Sequence, residues 1–251
     1  MPLNPAQERP EDFPESDEFK DVYRHGAGAY DRLVAREDYR GNVIAALNEI
    51  RPLHGLRIVE FGAGTGRLTR NLSVMAEHIA AFDNAPAMVS RASQNLRATG
   101  MSNWSLALGD NLRMPVAAAC ADLVLEGWSF NHVLAWHPLD WRERINGMLA
   151  EMERILKPGG IAILLETMGT GAKRPKAPSR RLEALYQYWQ EVCGFQFRWV
   201  RSDYRFASPA ESLELMRGVF SEQLTTKWLG GGKVILPQCT GIWWKQSARQ
   251  R

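Results

Sequence analysis

Leu56-Arg57-Ile58-Val59-Glu60-Phe61-Gly62-Ala63-Gly64-Thr65-Gly66 is the stretch that decides how this chain reads. An apolar run leads into glycines at alternate positions, and a helix-like segment follows from Arg67 to His78. Strand, glycine hinge and helix start let the backbone turn with positive φ, and let a ligand approach main-chain N–H groups with no Cβ in the way. A nucleotide-like cofactor suits such a turn.

Spacing and charge narrow the choice of cofactor. A dinucleotide fingerprint needs Gly-x-Gly-x-x-Gly, and Arg67 stands where its third glycine belongs. A phosphate loop needs a Lys-Ser/Thr pair after its last glycine, and none follows Gly66. The carboxylate of Glu60, just ahead of the glycines, would repel a pyrophosphate and attract a cationic group such as an α-amine or a sulfonium.

The run Glu60 to Gly66 resembles the first motif of the class I S-adenosylmethionine-dependent methyltransferases, acidic-x-Gly-x-Gly-x-Gly, and the resemblance continues downstream in order. Ile79-Ala80-Ala81-Phe82-Asp83 ends in a carboxylate where that family holds the ribose hydroxyls. Asn84-Ala85-Pro86-Ala87-Met88 opens a helix with proline in its first turn, and the resemblance sets Met88 against the adenine. Ser105 to Asn111 is similar to the strand-plus-acid motif, with Asp110 as the acceptor for the adenine amino group. Ala121 to Gly127 resembles the fourth strand, whose end faces the transferred methyl, and Leu156-Lys157-Pro158-Gly159-Gly160 resembles the tight turn before strand five. The resemblance spans residues 55 to 166. It implies S-adenosyl-L-methionine as cofactor, held by Glu60, Gly62, Ala63, Gly64, Gly66, Asp83, Asn84, Met88, Asp110, Asn111 and Glu126. It also implies an α/β fold, a Rossmann-like seven-stranded, mostly parallel sheet with its last strand antiparallel.

Around that core the sequence places two additions. Residues 1–51 form an arm that is disordered by composition at its start and helical from Phe19. Its Tyr23, His25, Tyr30, Asp31, Arg32, Tyr39 and Arg40 suit either a lid over a small-molecule site, with Tyr23 and Tyr30 touching substrate, or a helix packing tyrosine rings on the core. Residues 52–166 form the cofactor-binding core, and 167–207 an insertion after strand five that would cover the substrate. That insertion has helical spacing of Leu182, Leu185, Tyr186 and Trp189 within Arg181 to Val192, and strand-like alternation over Phe195 to Phe206. Residues 208–251 complete the sheet. Ser208-Pro209 starts a helix to about Gly218, and Phe220 to Trp228 and Val234 to Lys245 read as a hairpin through Gly230-Gly231-Gly232.

Composition sets the broad class. The 251 residues are 45% hydrophobic and 24% charged, ordinary for a globular domain. No apolar run approaches the ~20 residues that span a bilayer, and the proline-rich, acidic start does not read as a signal segment. Cys120, Cys193 and Cys239 are scattered, which fits reduced thiols in a cytoplasmic protein. A net charge of +3 falls short of the broad basic face of a nucleic-acid enzyme, and points to a small-molecule partner. No metal is expected, since His132 and His137 are five apart with Pro138 next to them, a spacing that fits no helical ligand pair. Oligomeric state is not written in the sequence.

A sulfonium is already a good leaving group, so catalysis rests mainly on alignment of the acceptor, which contributes up to ~7–11 kcal/mol. The candidates for acceptor contact or proton removal follow strand four: Glu126, Trp128, Ser129, Asn131, His132 and His137. His132 is the candidate general base because histidine titrates near neutrality, with a structural histidine as the alternative reading. Glu126 is the second catalytic candidate. No Asn/Asp-Pro-Pro-aromatic tetrapeptide follows strand four, which argues against amino-methyltransferases acting on nucleic acid or protein glutamine. An RNA or protein methyltransferase and a non-catalytic binder of the same cofactor are the remaining alternatives.

Overall fold

The computed structural model describes residues 26–217, 220, 224–225 and 232–248. Among the described residues nine strands lie in chain order: β1 Arg57–Phe61, β2 His78–Asp83, β3 Trp104–Leu108, β4 Ala121–Gly127, β5 Leu156–Thr170, β6 Gln196–Arg201, β7 Tyr204–Arg205, β8 Ile235–Leu236 and β9 Gln238–Gln246. Seven of them form one sheet in the order β3-β2-β1-β4-β5-β9-β6, and β7 pairs with β8 apart from it. The first five strands run parallel, and β9 pairs antiparallel with both β5 and β6.

The sequence dictates this layering. The central strands are apolar on both faces, as a parallel sheet covered by helices requires, and alternate residues divide between two cores. Ile58, Leu123, Leu125 and Ile163 face Val43 and Leu47 of the helix Asn42–Ile50 and Leu68 and Leu72 of the helix Arg67–Ser73. Val59, Phe61, Val124 and Leu164 face Ile145, Met148 and Met152 of the helix Trp141–Ile155 and Leu182 and Leu185 of the helix Arg180–Gln187. Strand order reverses between β1 and β4, and the crevice at their carboxyl ends is where such sheets place ligands.

Several expectations shift at the periphery. The helix after the glycines is shorter than Arg67 to His78: it stops at Ser73, and His78 already opens β2. The tight turn before strand five is a bulge inside it, with Leu156 paired to Ala121, Ile161 to Leu123, and Gly159 at φ 78° between. The strand within Phe195 to Phe206 is not a separate cover. Gln196–Arg201 is the edge strand of the main sheet, because its Phe197 packs on the ring of Trp243 in β9 with centroids 4.8 Å apart. The expected C-terminal hairpin also differs. Most of Phe220 to Trp228 and its glycine turn lie outside the described residues, Leu224 and Thr225 are helical, and the single strand β9 inserts between β5 and β6. The helix from Ser208 is as read, over Pro209–Met216, with the serine hydroxyl accepting from the Glu211 amide at 3.1 Å.

Trp243 anchors this end of the sheet. It is fully buried, and its ring lies 4.6 Å from Tyr186, 5.2 Å from Trp189 and 4.8 Å from Phe197 by centroid. Aromatic groups of this size dominate core energetics. Trp243→Ala is expected to cost ~3–5 kcal/mol of unfolding free energy, read as a lower denaturant midpoint, and a loss below ~1 kcal/mol would show that the cluster is dispensable.

Candidate active site

Two adjoining cavities open at the carboxyl ends of β1, β2 and β4, of about 670 and 520 Å³. They share Asn84, Asn111, Ser129, His132 and Trp136 as walls. The glycine turn builds the floor of the larger one. Gly62, at φ 64°, packs so closely that a Cβ would lie 2.3 Å from the Ser129 Cβ. Gly64, at φ 54°, faces the cavity, where a Cβ would come within 4.0 Å only of the Tyr30 ring. Its openness leaves the backbone approachable by a ligand. Gly66 caps the following helix in a left-handed turn at φ 82°, and a Cβ there would meet Ala92 at 3.3 Å, so it serves helix packing instead of lining the cavity. Ala63 is buried and donates its N–H to Phe82 O at 2.8 Å, tying β1 to β2.

Asp83, at the end of β2, binds the turn in place. Its Oδ2 accepts from Gly64 N at 2.8 Å and its Oδ1 from Ala85 N at 2.9 Å, and it lines the larger cavity. Burial pushes its carboxyl above the usual range, against the backbone N–H groups that favour its charge. Asn84 and Asn111 line both cavities, and Asp110 lines the smaller, with its Oδ1 held by the Leu112 amide at 2.9 Å.

Met88 and Glu60 join Ala63 and Gly66 among the expected cofactor contacts that line neither cavity. Met88 is fully buried in the helix Pro86–Arg97 and lines neither cavity, because its helix turns that position onto the sheet. Glu60 is also buried and lines neither. Its Oε2 accepts from the Thr69 hydroxyl at 2.6 Å, so it braces the helix start from beneath.

Tyr30, in the helix Ala27–Val34, lines the larger cavity above Gly64. Tyr23 lies outside the described residues. The helix is fastened over the turn by Asp31, which accepts from Arg91 Nε at 2.9 Å and Asn95 Nδ2 at 2.8 Å, while Asn95 also donates to Thr65 O. Just beyond it, buried Glu37 pairs with Arg67, and the Arg67 guanidinium stacks 4.0 Å above the Trp128 ring. Trp128 lines the cavity with its backbone left-handed at φ 57°. A bulky residue keeps that conformation only where its surroundings over-determine it.

His132 lines both cavities, with its ring stacked on Trp136 at 5.0 Å. Burial pushes its pKa down to about 4, so it is neutral at pH 7 and a weaker base than an exposed histidine. Glu126, expected at the methyl-facing end of strand four, is fully buried and lines neither cavity. It accepts from Ser129 N and Ser129 Oγ, both at 3.1 Å, beneath the wall that Ser129 forms. Three side chains were missed by sequence reasoning. Trp136 and Arg144 line cavities, and their signal was proximity to His132 on the helices after strand four. Glu166 is fully buried in β5, and its signal was a carboxylate closing the apolar run Ile161 to Leu165.

Comparison with known proteins agrees with this geometry. A family profile described as a methyltransferase domain matches residues 59–164. Over those residues the chain is similar to a methyltransferase domain, set in a fold like that of the class I enzymes. It is 26% identical over 176 residues to a malonyl-[acyl-carrier protein] O-methyltransferase of Pectobacterium atrosepticum, covering 70% of this chain and 59% of that protein. A protein of the same description from Serratia marcescens is 27% identical over 173 residues, covering 69% and 58%. The chain thus spans under two thirds of these relatives' length. Among solved structures, the [4+2]-cyclase SpnF matches with a TM-score of 0.61 at 17% identity, covering 94% of this chain and 98% of that one, a likeness of fold.

The cofactor of this domain is S-adenosylmethionine, and the residues present fit it. The open approach at Gly64 admits a ligand to the backbone, and the Asp83 carboxylate reaches the same cavity beside Asn84. Asp110 and Asn111 border the adjoining one.

Glu60 carries a pH consequence that does not depend on any ligand. Burial raises its pKa from 4.5 to about 8. A folded carboxyl titrating above its unfolded value holds its proton in the native state, so stability is lost as pH climbs from about 4.5 to about 8. Glu60→Gln removes that loss. The melting temperature of the variant relative to the wild type is expected to rise with pH across that window and level off above it, and a constant offset would contradict the assignment.

Proposed function

We propose that this chain transfers a methyl group from S-adenosylmethionine to a small-molecule acceptor. The observation that carries the reading is the pair of adjoining cavities, one floored by the glycine turn and roofed by Tyr30, both walled by Ser129, His132 and Trp136. A site enclosed in this way suits a ligand of modest size. The two O-methyltransferase relatives support an oxygen acceptor.

The cofactor supplies an activated methyl on a sulfonium, and the chain's own residues bind, orient and exclude water. Asp83 would hold the ribose hydroxyls with the carboxylate edges left free by Gly64 and Ala85. Asp110 and Asn111 would face the adenine edge, and the Gly62–Gly64 backbone would lie along the carboxypropyl part of the ligand. The helix carrying Tyr30 closes the site, which strengthens every electrostatic contact inside it. Neutral His132 offers a hydrogen-bond partner to the acceptor on the aromatic wall of Trp128 and Trp136. An acceptor that reacts as a carboxylate or phenolate needs no further base.

Among the described residues no helix is long and apolar enough to cross a membrane. We place the acceptor among soluble metabolites or carrier-borne acyl groups, with nucleic acid disfavoured by the modest net charge of +3. Asp83→Ala removes a charged hydrogen-bond acceptor and should weaken S-adenosylhomocysteine binding by ~1.5–3 kcal/mol, about ten- to a hundredfold. Unchanged affinity in a calorimetric titration would remove Asp83 from the ribose role. Methyl-labelled cofactor offered with carboxylic acids, phenols and amines tests the transfer itself, and labelling of none of these classes would count against it.

A further inference from the structure

Glu126 and Glu166 are both fully buried, yet neither lines a cavity. They sit on neighbouring strands. Glu126 in β4 is opposite Leu164 in β5, and Glu166 lies two residues further along β5, on the same face as Leu164. Their side-chain hydrogen bonds converge on one short segment. Glu126 Oε2 accepts from Ser129 N, Ser129 Oγ and Phe130 N, at 3.1, 3.1 and 3.3 Å. Glu166 accepts from Asn131 N at 3.1 Å and Asn131 Nδ2 at 2.8 Å. The other oxygen of Glu126, Oε1, is buried and lacks a hydrogen-bond partner among the described residues.

Two carboxylates cannot both ionise in a buried site without a compensating cation. Among the described residues, the groups turned toward them do not supply one. Tyr186, from the helix Arg180–Gln187, feels both carboxylates and donates its hydroxyl to Thr167 O at 2.7 Å, and Tyr30, from the N-terminal helix, feels Glu166 along with Asp83. Asn131 offers only amide and backbone N–H donors. Leu165 and Thr167 turn backbone N–H groups toward Glu126 and Glu166, and Glu126 Oε1, which lacks a hydrogen-bond partner among the described residues, is the oxygen left to carry a proton. Burial accordingly pushes the Glu126 carboxyl up to about 7, and burial together with the Glu126 charge pushes Glu166 well above the usual range. The pair titrates as a unit.

The geometry points to Glu126 and Glu166 as a buried carboxyl pair on neighbouring strands that keeps a proton and positions the 129–131 segment, and with it the Ser129 and His132 wall of the cavity. While the pair keeps one proton, five hydrogen bonds fix that segment against the ends of β4 and β5. When the proton leaves, two like charges lie buried under the same segment, and the wall loosens. Ser129 also packs against Gly62, so the glycine turn feels the change. These are positioning residues, acting on ligands through Ser129 and His132.

The test has two readouts, of which only the first rests on the cofactor reading. Affinity for S-adenosylhomocysteine is measured from about pH 6 to about pH 9 in the wild type, Glu126→Gln and Glu126→Ala. The wild type should lose roughly tenfold in affinity across that range. Glu126→Gln, which mimics the protonated state, should show a flatter profile, and Glu126→Ala should bind weakly throughout. Equal alkaline loss in the wild type and Glu126→Gln would overturn the pair. The second readout is the melting temperature without ligand over the same range. Raised carboxyl pKa values make the wild type lose stability as pH rises, so Glu126→Gln should gain on it with increasing pH. Parallel curves would overturn the pair even if S-adenosylhomocysteine bound to no variant, an outcome that would instead remove the cofactor reading.

Discussion

The hydrogen bond from Gly64 N–H to the Asp83 carboxylate, at 2.8 Å, is the contact on which the site depends. It joins the turn after β1 to the end of β2, and so fixes the shape of a loop whose glycines sit at φ 64°, 54° and 82°. Without it those conformations would be a few among many, since glycine carries the largest backbone entropy. Asp83 thereby preorganises the floor of the cavity and presents the rest of its carboxylate to whatever lies there. Its burial keeps water from competing for that tie.

The remaining elements brace that turn from outside the sheet. Asp31 reaches the helix Pro86–Arg97 through Arg91 and Asn95, and Asn95 returns to the backbone of Thr65. Glu37 engages both Arg67 and the hydroxyl of Tyr204, at 3.1 Å for the latter, linking the N-terminal segment to the chain just past β6. Arg67 then stacks on Trp128, so a buried chain of charge and aromatic contact runs from the N-terminal segment to the cavity wall. Buried ion pairs of this kind favour one geometry over others more than they add net stability. Arg67, which excluded a dinucleotide fingerprint as a sequence letter, is in the folded protein the connector between its own helix, the N-terminal segment and the cavity wall.

The core of the fold was legible because its signals are local and repeated. Alternate glycines, apolar strands and a carboxylate closing β2 recur at spacings that only one sheet order satisfies. The placement of Gly62, Gly64, Asp83, Asn84, Asp110 and Asn111 around the two cavities followed from positions at strand ends. Met88 and Glu60 did not follow, because which face of a helix or strand a residue occupies depends on packing against distant elements. Glu60 lies below the turn, braced by Thr69, nine residues on. The edge strand Gln196–Arg201 was read as a cover because its sheet partner is β9, some 40 residues later, and non-local pairing leaves no mark in a short window. Glu166 was invisible for a related reason, since its meaning comes from Glu126 on the neighbouring strand.

The account stands or falls on the ligand that the turn receives. Isothermal titration of the chain with S-adenosylmethionine, S-adenosylhomocysteine and NAD in parallel addresses this directly, once co-purified ligand has been removed. Micromolar binding of the two sulfur ligands with no heat from NAD is the predicted result. Binding of NAD alone would contradict the account at its centre.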